Sequence, residues 1–136
     1  MVQAVDRPNF GLVLDAFHIA GYDYADPAVP EFVRPDAKER IAKTVQDLKQ
    51  VPADKVFFVQ LCDAEKLDKP IVKGQSPYYN PELPARMSWS RNCRLFPYEE
   101  DRGAFMPIEE VMKGIFSTGF RGFVRYAENN RRRLRL

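Results

Sequence analysis

Leu12-Val13-Leu14-Asp15-Ala16-Phe17-His18 and Val56-Phe57-Phe58-Val59-Gln60 decide the fold of this chain. Both are apolar runs that stop at a polar residue able to ligate a metal. Continuous β-branched and aromatic character marks strands buried on both faces, the pattern of parallel sheets covered by helices. In a barrel of such strands, polar side chains at the C-terminal ends face the catalytic mouth.

Working outward, the sequence predicts strands over residues 10–15, 55–61 and 122–127. Pro35 and Asp36 supply helix-start chemistry, and Ala37, Ile41, Val45 and Leu48 recur at helical spacing until Pro52. Pro107 opens a second amphipathic helix with Ile108, Val111, Met112, Ile115 and Phe116, ended near Gly119. The proline-bearing stretches 19–34 and 62–106 read as long irregular loops, each following a strand, whereas the turns after helices are short. A β-α-β-α-β order with that asymmetry points to an α/β fold, part of a (β/α)8 TIM barrel with parallel strands and crossover helices. At 136 residues the chain is shorter than the roughly 250 of a closed barrel, so about three βα strands are expected. Residues 1–128 would form this partial barrel and residues 129–136 a basic, divergent tail.

The formal charge of +2 comes from that tail, where Arg131, Arg132, Arg133 and Arg135 sit; the rest holds 17 basic against 19 acidic residues. With no basic face interleaved with aromatics, a nucleic-acid partner is not expected. No apolar run approaches the roughly 20 residues that span a bilayer, and no secretory leader pattern precedes the first strand. The two cysteines, Cys62 and Cys93, have neither CxxC nor zinc-type spacing and read as small buried thiols of a cytoplasmic protein.

Asp15 and Gln60 at strand ends are natural oxygen ligands for Mg²⁺ or Mn²⁺. The residues equally allow Asp15 to cap a turn and His18 to be an ordinary loop histidine. Arg91 and Arg94, beside Ser90 and Trp89, could grip a carboxylate bidentately, or could pair with Glu99, Glu100 or Asp101 nearby. Tyr22, Tyr24, Tyr78 and Tyr79 could line a pocket rim.

Residues 4–21 (Ala4-Val5-Asp6-Arg7-Pro8-Asn9-Phe10-Gly11 onward), 56–64 and 87–97 (Met87-Ser88-Trp89-Ser90-Arg91-Asn92-Cys93-Arg94-Leu95-Phe96-Pro97) together resemble the fungal-type 3-dehydroshikimate dehydratases. These belong to the xylose-isomerase-like sugar phosphate isomerase/epimerase TIM-barrel superfamily. The resemblance implies a divalent metal, Mn²⁺ or Mg²⁺ with Co²⁺ as an alternative, held by a glutamate, an aspartate, a glutamine or histidine, and a second glutamate. Asp15 and Gln60 match the second and third ligands, His18 a histidine that contacts substrate, and Ser90, Arg91 and Arg94 the loop that holds a small acidic cyclic substrate. The implied reaction, in quinate and shikimate catabolism, removes a proton beside a metal-polarised ketone. Water is then lost and protocatechuate forms. The metal would serve as Lewis acid on the developing enolate.

Two positions depart from the family. The first glutamate is expected on a strand ahead of Met1, which makes this chain the C-terminal portion of the barrel. The last should fall where Ala127 stands; Glu128 follows, but period-two alternation turns it to the other face unless a bulge intervenes. The alternatives are a sugar or keto-acid isomerase of the same superfamily and an inactive truncated paralogue. An incomplete barrel leaves open strand edges, so self-association is expected.

Overall fold

A computed structural model describes residues 2–127 and the backbone of residues 129 and 130. A short helix α1 (Val2–Val5) precedes strand β1 (Leu12–Asp15), which passes without a break into α2 (Ala16–Asp23). Helix α3 (Ala37–Leu48) leads to β2 (Val56–Leu61), followed at once by the short β3 (Asp63–Ala64). Then come α4 (Ala85–Asn92), β4 (Cys93–Leu95), α5 (Ile108–Ser117), β5 (Val124–Tyr126) and β6 (Asn129–Asn130).

The three expected strands form one parallel sheet in the order β1-β2-β5. Its register sets Asp15 level with Gln60 and Gln60 level with Arg125, with an irregularity between Leu12 and Val13. Parallel partners at one level point to one face, so Asp15, Gln60 and Arg125 share a face at the C-terminal end of the sheet. A second, antiparallel sheet, β3-β4-β6, pairs Ala64 with Arg94. Because β3 continues directly from β2, this pairing brings β4 to the same end of the parallel sheet.

Both helices expected from periodicity are present, and the apolar stripes are what they bury. Ile41 and Leu48 of α3 and Ile108, Val111 and Ile115 of α5 are buried, and the two helices pack on each other. Fully burying one such side chain stabilises by about 1.5–3 kcal/mol. Gly114 lets them approach: a Cβ there would lie 3.2 Å from both Leu48 and Val45 side chains. Helix α3 starts after Asp36 as expected, but Asp36 makes no side-chain cap bond and instead lies 3.7 Å from Arg40. Past α5, Gly119 at φ +91° makes the turn into β5.

The two stretches read as long loops hold more structure than expected. Helix α2 falls partly within 19–34, whose remainder closes through a bridge between Ala25 and Val33. The 62–106 stretch contains α4 as well as β3 and β4, so Ser90 and Arg91 are helical and Arg94 lies in a strand. Trp89 is the anchor of this region: fully buried, it packs on Phe17, Phe32 and Phe105 and donates Nε1–H to the Glu65 carbonyl at 2.8 Å. Arg86 ties α4 to the end of α2 through the Gly21 and Ala25 carbonyls, at 2.7 and 2.8 Å.

Candidate active site

Asp15 is the last residue of β1 and the N-cap of α2. Its Oδ1 accepts from the backbone N–H of Phe17 at 2.9 Å and of His18 at 3.3 Å. A carboxylate in that place satisfies two orphan donors and faces the positive end of the helix dipole. The turn-capping alternative for Asp15 therefore describes its Oδ1, while its Oδ2 serves something else.

Arg94 reaches across from β4 and binds Asp15 Oδ2 through Nη1 at 2.8 Å. The same nitrogen lies 3.0 Å from Cys62 Sγ. Nη2 meets Ser90 Oγ at 3.0 Å and His18 Nε2 at 3.1 Å, and Nε points at the Ser90 carbonyl and hydroxyl, both 3.3 Å away. Beneath the guanidinium lies the Phe17 ring, 4.5 Å from its carbon to the ring centroid. Arg carries no acceptor, so in this contact the guanidinium N–H is the donor and His18 Nε2 the acceptor. The alternative pairing of Arg94 with Glu99, Glu100 or Asp101 is not what forms: Arg102 takes Glu99, at 2.8 Å.

The structure thus assembles Asp15, His18, Ser90 and Arg94 from residues far apart in sequence. Gln60 stands level with Asp15 on the neighbouring strand, and its side chain makes no hydrogen bond among the described residues. Arg91 is exposed on α4 and does not join the cluster. Ala127, whose N–H binds the Leu61 carbonyl, continues the face of Arg125 and carries no ligand atom. Glu128, the other candidate for the last ligand, lies outside the described residues. Sequence reasoning missed Cys62 as a cluster member; the signal was its period-two spacing from Gln60. Burial pushes its thiol up to about 11, with the Arg94 charge opposing and the Asp15 charge adding to the shift.

Beside β1 a shallow hollow of about 370 Å³ is lined by Asp15, His18, Tyr22 and Asp23 among others. Tyr22 stands at its rim, under the guanidinium groups of Arg40 and Arg86. A larger cleft of about 840 Å³ lies between α3, α5 and residues 97–107, away from the arginine cluster. Its buried carboxylate, Asp63, is raised by burial, against the pull of N–H donors from Ala64, Met106 and Phe105. Its one buried carboxylate is already satisfied by three backbone donors and its Glu109 pairs with Lys113 at the surface, so the candidate site lies at the strand ends.

As the chain is folded, these donors do not fit a divalent ion. Both Asp15 oxygens are engaged, the second by a cation of the chain itself. Among the described residues no three His, Cys, Asp or Glu side chains converge on a metal-sized position. No described helix is long and apolar enough to cross a membrane.

The chain is 53% identical over 134 residues to a 3-dehydroshikimate dehydratase of Neurospora crassa, covering 97% of this chain and 37% of that protein. A 3-dehydroshikimate dehydratase of Pseudomonas putida is 26% identical over 122 residues, 90% of this chain and 13% of that protein. The chain therefore spans little more than a third of the fungal relative and a smaller share of the bacterial one. Among solved structures, a xylose isomerase-like TIM barrel/4-hydroxyphenylpyruvate dioxygenase fusion protein aligns with TM-score 0.60 at 26% identity, covering 95% of this chain and 15% of that one. A crystal structure of the IOLI protein with bound zinc aligns with TM-score 0.59 at 18% identity, covering 99% and 34%. No family model matches the chain.

Proposed function

We infer that the parallel β1-β2-β5 sheet with its crossover helices is part of a xylose isomerase-like TIM barrel, similar in sequence to the matching part of the 3-dehydroshikimate dehydratases. From that premise we propose that the chain supplies part of a 3-dehydroshikimate dehydratase, a carbon–oxygen lyase converting 3-dehydroshikimate to protocatechuate and water. The carrying observation is the 53% identity to the fungal enzyme over 97% of the chain. The meeting of Asp15, His18, Ser90 and Arg94 at the strand ends adds to it.

The roles we assign follow from chemistry. Arg94 carries a planar fork matched to a carboxylate, held from the adjacent helix by Ser90 Oγ. As the chain is folded Asp15 takes that place, so a substrate carboxylate would bind there by displacing Asp15 Oδ2 from Nη1. His18 is half exposed, with its side chain toward the hollow beside β1, so it is the group placed to exchange a proton with a small acidic ring. Arg91, exposed on α4, would meet the substrate's outer edge. Asp15 and Gln60 are the residues that this reading would give to a divalent metal, Mn²⁺ or Mg²⁺, but with Asp15 Oδ2 on Arg94 they are not arranged for the ion, and the roles above stand without it. Activity depends on strands that close the barrel around this sheet, supplied by the rest of the protein or by association.

The test is protocatechuate formation from 3-dehydroshikimate, with ketose isomerisation assayed in parallel. Turnover that disappears in Asp15→Ala supports the proposal. Ketose isomerisation instead would favour the isomerase reading. No turnover even when the remaining barrel strands are supplied would overturn the proposal in favour of an inactive paralogue.

A further inference from the structure

We propose that Arg94 is an internal counter-cation that occupies Asp15 in the resting chain, so that a divalent cation reaches Asp15 only as Arg94 leaves. The inference concerns the site named above but not its reaction, and its test reads cation binding without turnover, so the two proposals fail separately.

The argument begins with donor counting. A guanidinium has five N–H donors in a fixed fork. Each has an acceptor: Asp15 Oδ2 and Cys62 Sγ for Nη1, Ser90 Oγ and His18 Nε2 for Nη2, and Ser90 for Nε. The Phe17 ring closes the guanidinium's face. Arg94 is thus held in one place by a socket that four other residues and a ring build, and is only 8% exposed. Asp15, 7% exposed, has its Oδ1 turned to the α2 backbone and its Oδ2 to Arg94. The carboxylate and guanidinium cancel, and the pair presents no net negative charge to an incoming cation. A divalent ion at Oδ2 would stand beside a buried positive charge in a medium that screens it weakly. Either the ion is excluded or Arg94 moves.

The experiment uses Mn²⁺ as the probe. Its binding is followed by calorimetry and by paramagnetic broadening of the Phe17 and His18 backbone amide signals, which sit on Asp15. Arg94→Met is expected to bind Mn²⁺ at least about tenfold more tightly than the unmodified chain, and the gain is expected to vanish in Asp15→Asn/Arg94→Met. Equal affinity in the unmodified chain and Arg94→Met would overturn the proposal. So would a gain that survives Asp15→Asn. Two further arms do not depend on Arg94→Met folding. In the unmodified chain, Phe17 and His18 should stay sharp to about 1 mM Mn²⁺, and their broadening at about 10 μM would overturn the proposal. Arg94→Lys keeps a cation at the socket and should match the unmodified chain; about tenfold tighter binding there would also overturn it.

Discussion

Arg94 Nη1 lies 2.8 Å from Asp15 Oδ2 across 79 residues of sequence, with the two side chains 10% and 8% exposed. Such a pair is costly to assemble and costlier to break, because removing one partner strands a buried charge. Arg94→Met should destabilise the chain by about 3–5 kcal/mol. Asp15→Asn/Arg94→Met should recover part of that loss, since Asn keeps an oxygen for the Phe17 and His18 N–H groups. Urea unfolding of the two single variants and the double variant measures the coupling directly.

Trp89 should behave as a structural anchor and not as a substrate contact. Its ring joins α2 to α4 through Phe17, and its N–H satisfies the buried Glu65 carbonyl. Trp89→Phe keeps most of the packing and removes that hydrogen bond. It is expected to cost about 0.5–1.5 kcal/mol in thermal or urea melts.

The difference between what could and could not be read in the sequence has a physical cause. Strands β1, β2 and β5 and helices α3 and α5 announce themselves because each carries a continuous apolar run or a 3.6-spaced stripe, although only the helices bury theirs: Val13 of β1, Phe57 of β2 and all of β5 are exposed, against the expectation of strands buried on both faces. Helix α4 does not: its buried residues are the consecutive Ser88, Trp89 and Ser90, enclosed on several sides by α2, β4 and the chain around Glu65, so no stripe forms. Helix α2 is eight residues long and contains Gly21, too short and too interrupted for a periodic signal. Strands β3 and β4, of two and three residues, are below the length at which period-two alternation exists. Asp15, His18, Ser90 and Arg94 were legible as residue types at strand ends and in one motif. That Arg94 would close on Asp15 was not, because it follows from β4 pairing with β3, a contact with no local sequence signature.

Asp63 gives the fold a definite pH response. Burial raises its carboxyl above the ordinary value, so the folded state holds the proton to higher pH than the unfolded chain. Stability from this group is fully present below the unfolded value and is lost as pH rises through the folded one. Asp63→Asn keeps an oxygen for the Ala64, Phe105 and Met106 N–H groups and cannot ionise. Its stability relative to the unmodified chain should therefore increase between about pH 4 and pH 7, read by urea melts at both ends. A difference that does not change with pH would remove Asp63 as the cause.

The face of the sheet that carries Asp15 and Gln60 also leaves Val13 59% exposed and Phe123 83% exposed. On the other face Val124 and Tyr126 of β5 are exposed as well, at 38% and 59%, and among the described residues neither β1 nor β5 has a second strand neighbour. Unpaired N–H and C=O groups next to exposed aromatic and β-branched side chains template pairing with another strand. Sedimentation velocity of this chain should therefore show mass-dependent association. Val13→Lys/Phe123→Lys, which puts two charges on the uncovered face and replaces no residue that bonds Arg94, should shift it toward monomer. Association unchanged by those two substitutions would locate the contact elsewhere and count against barrel closure between chains.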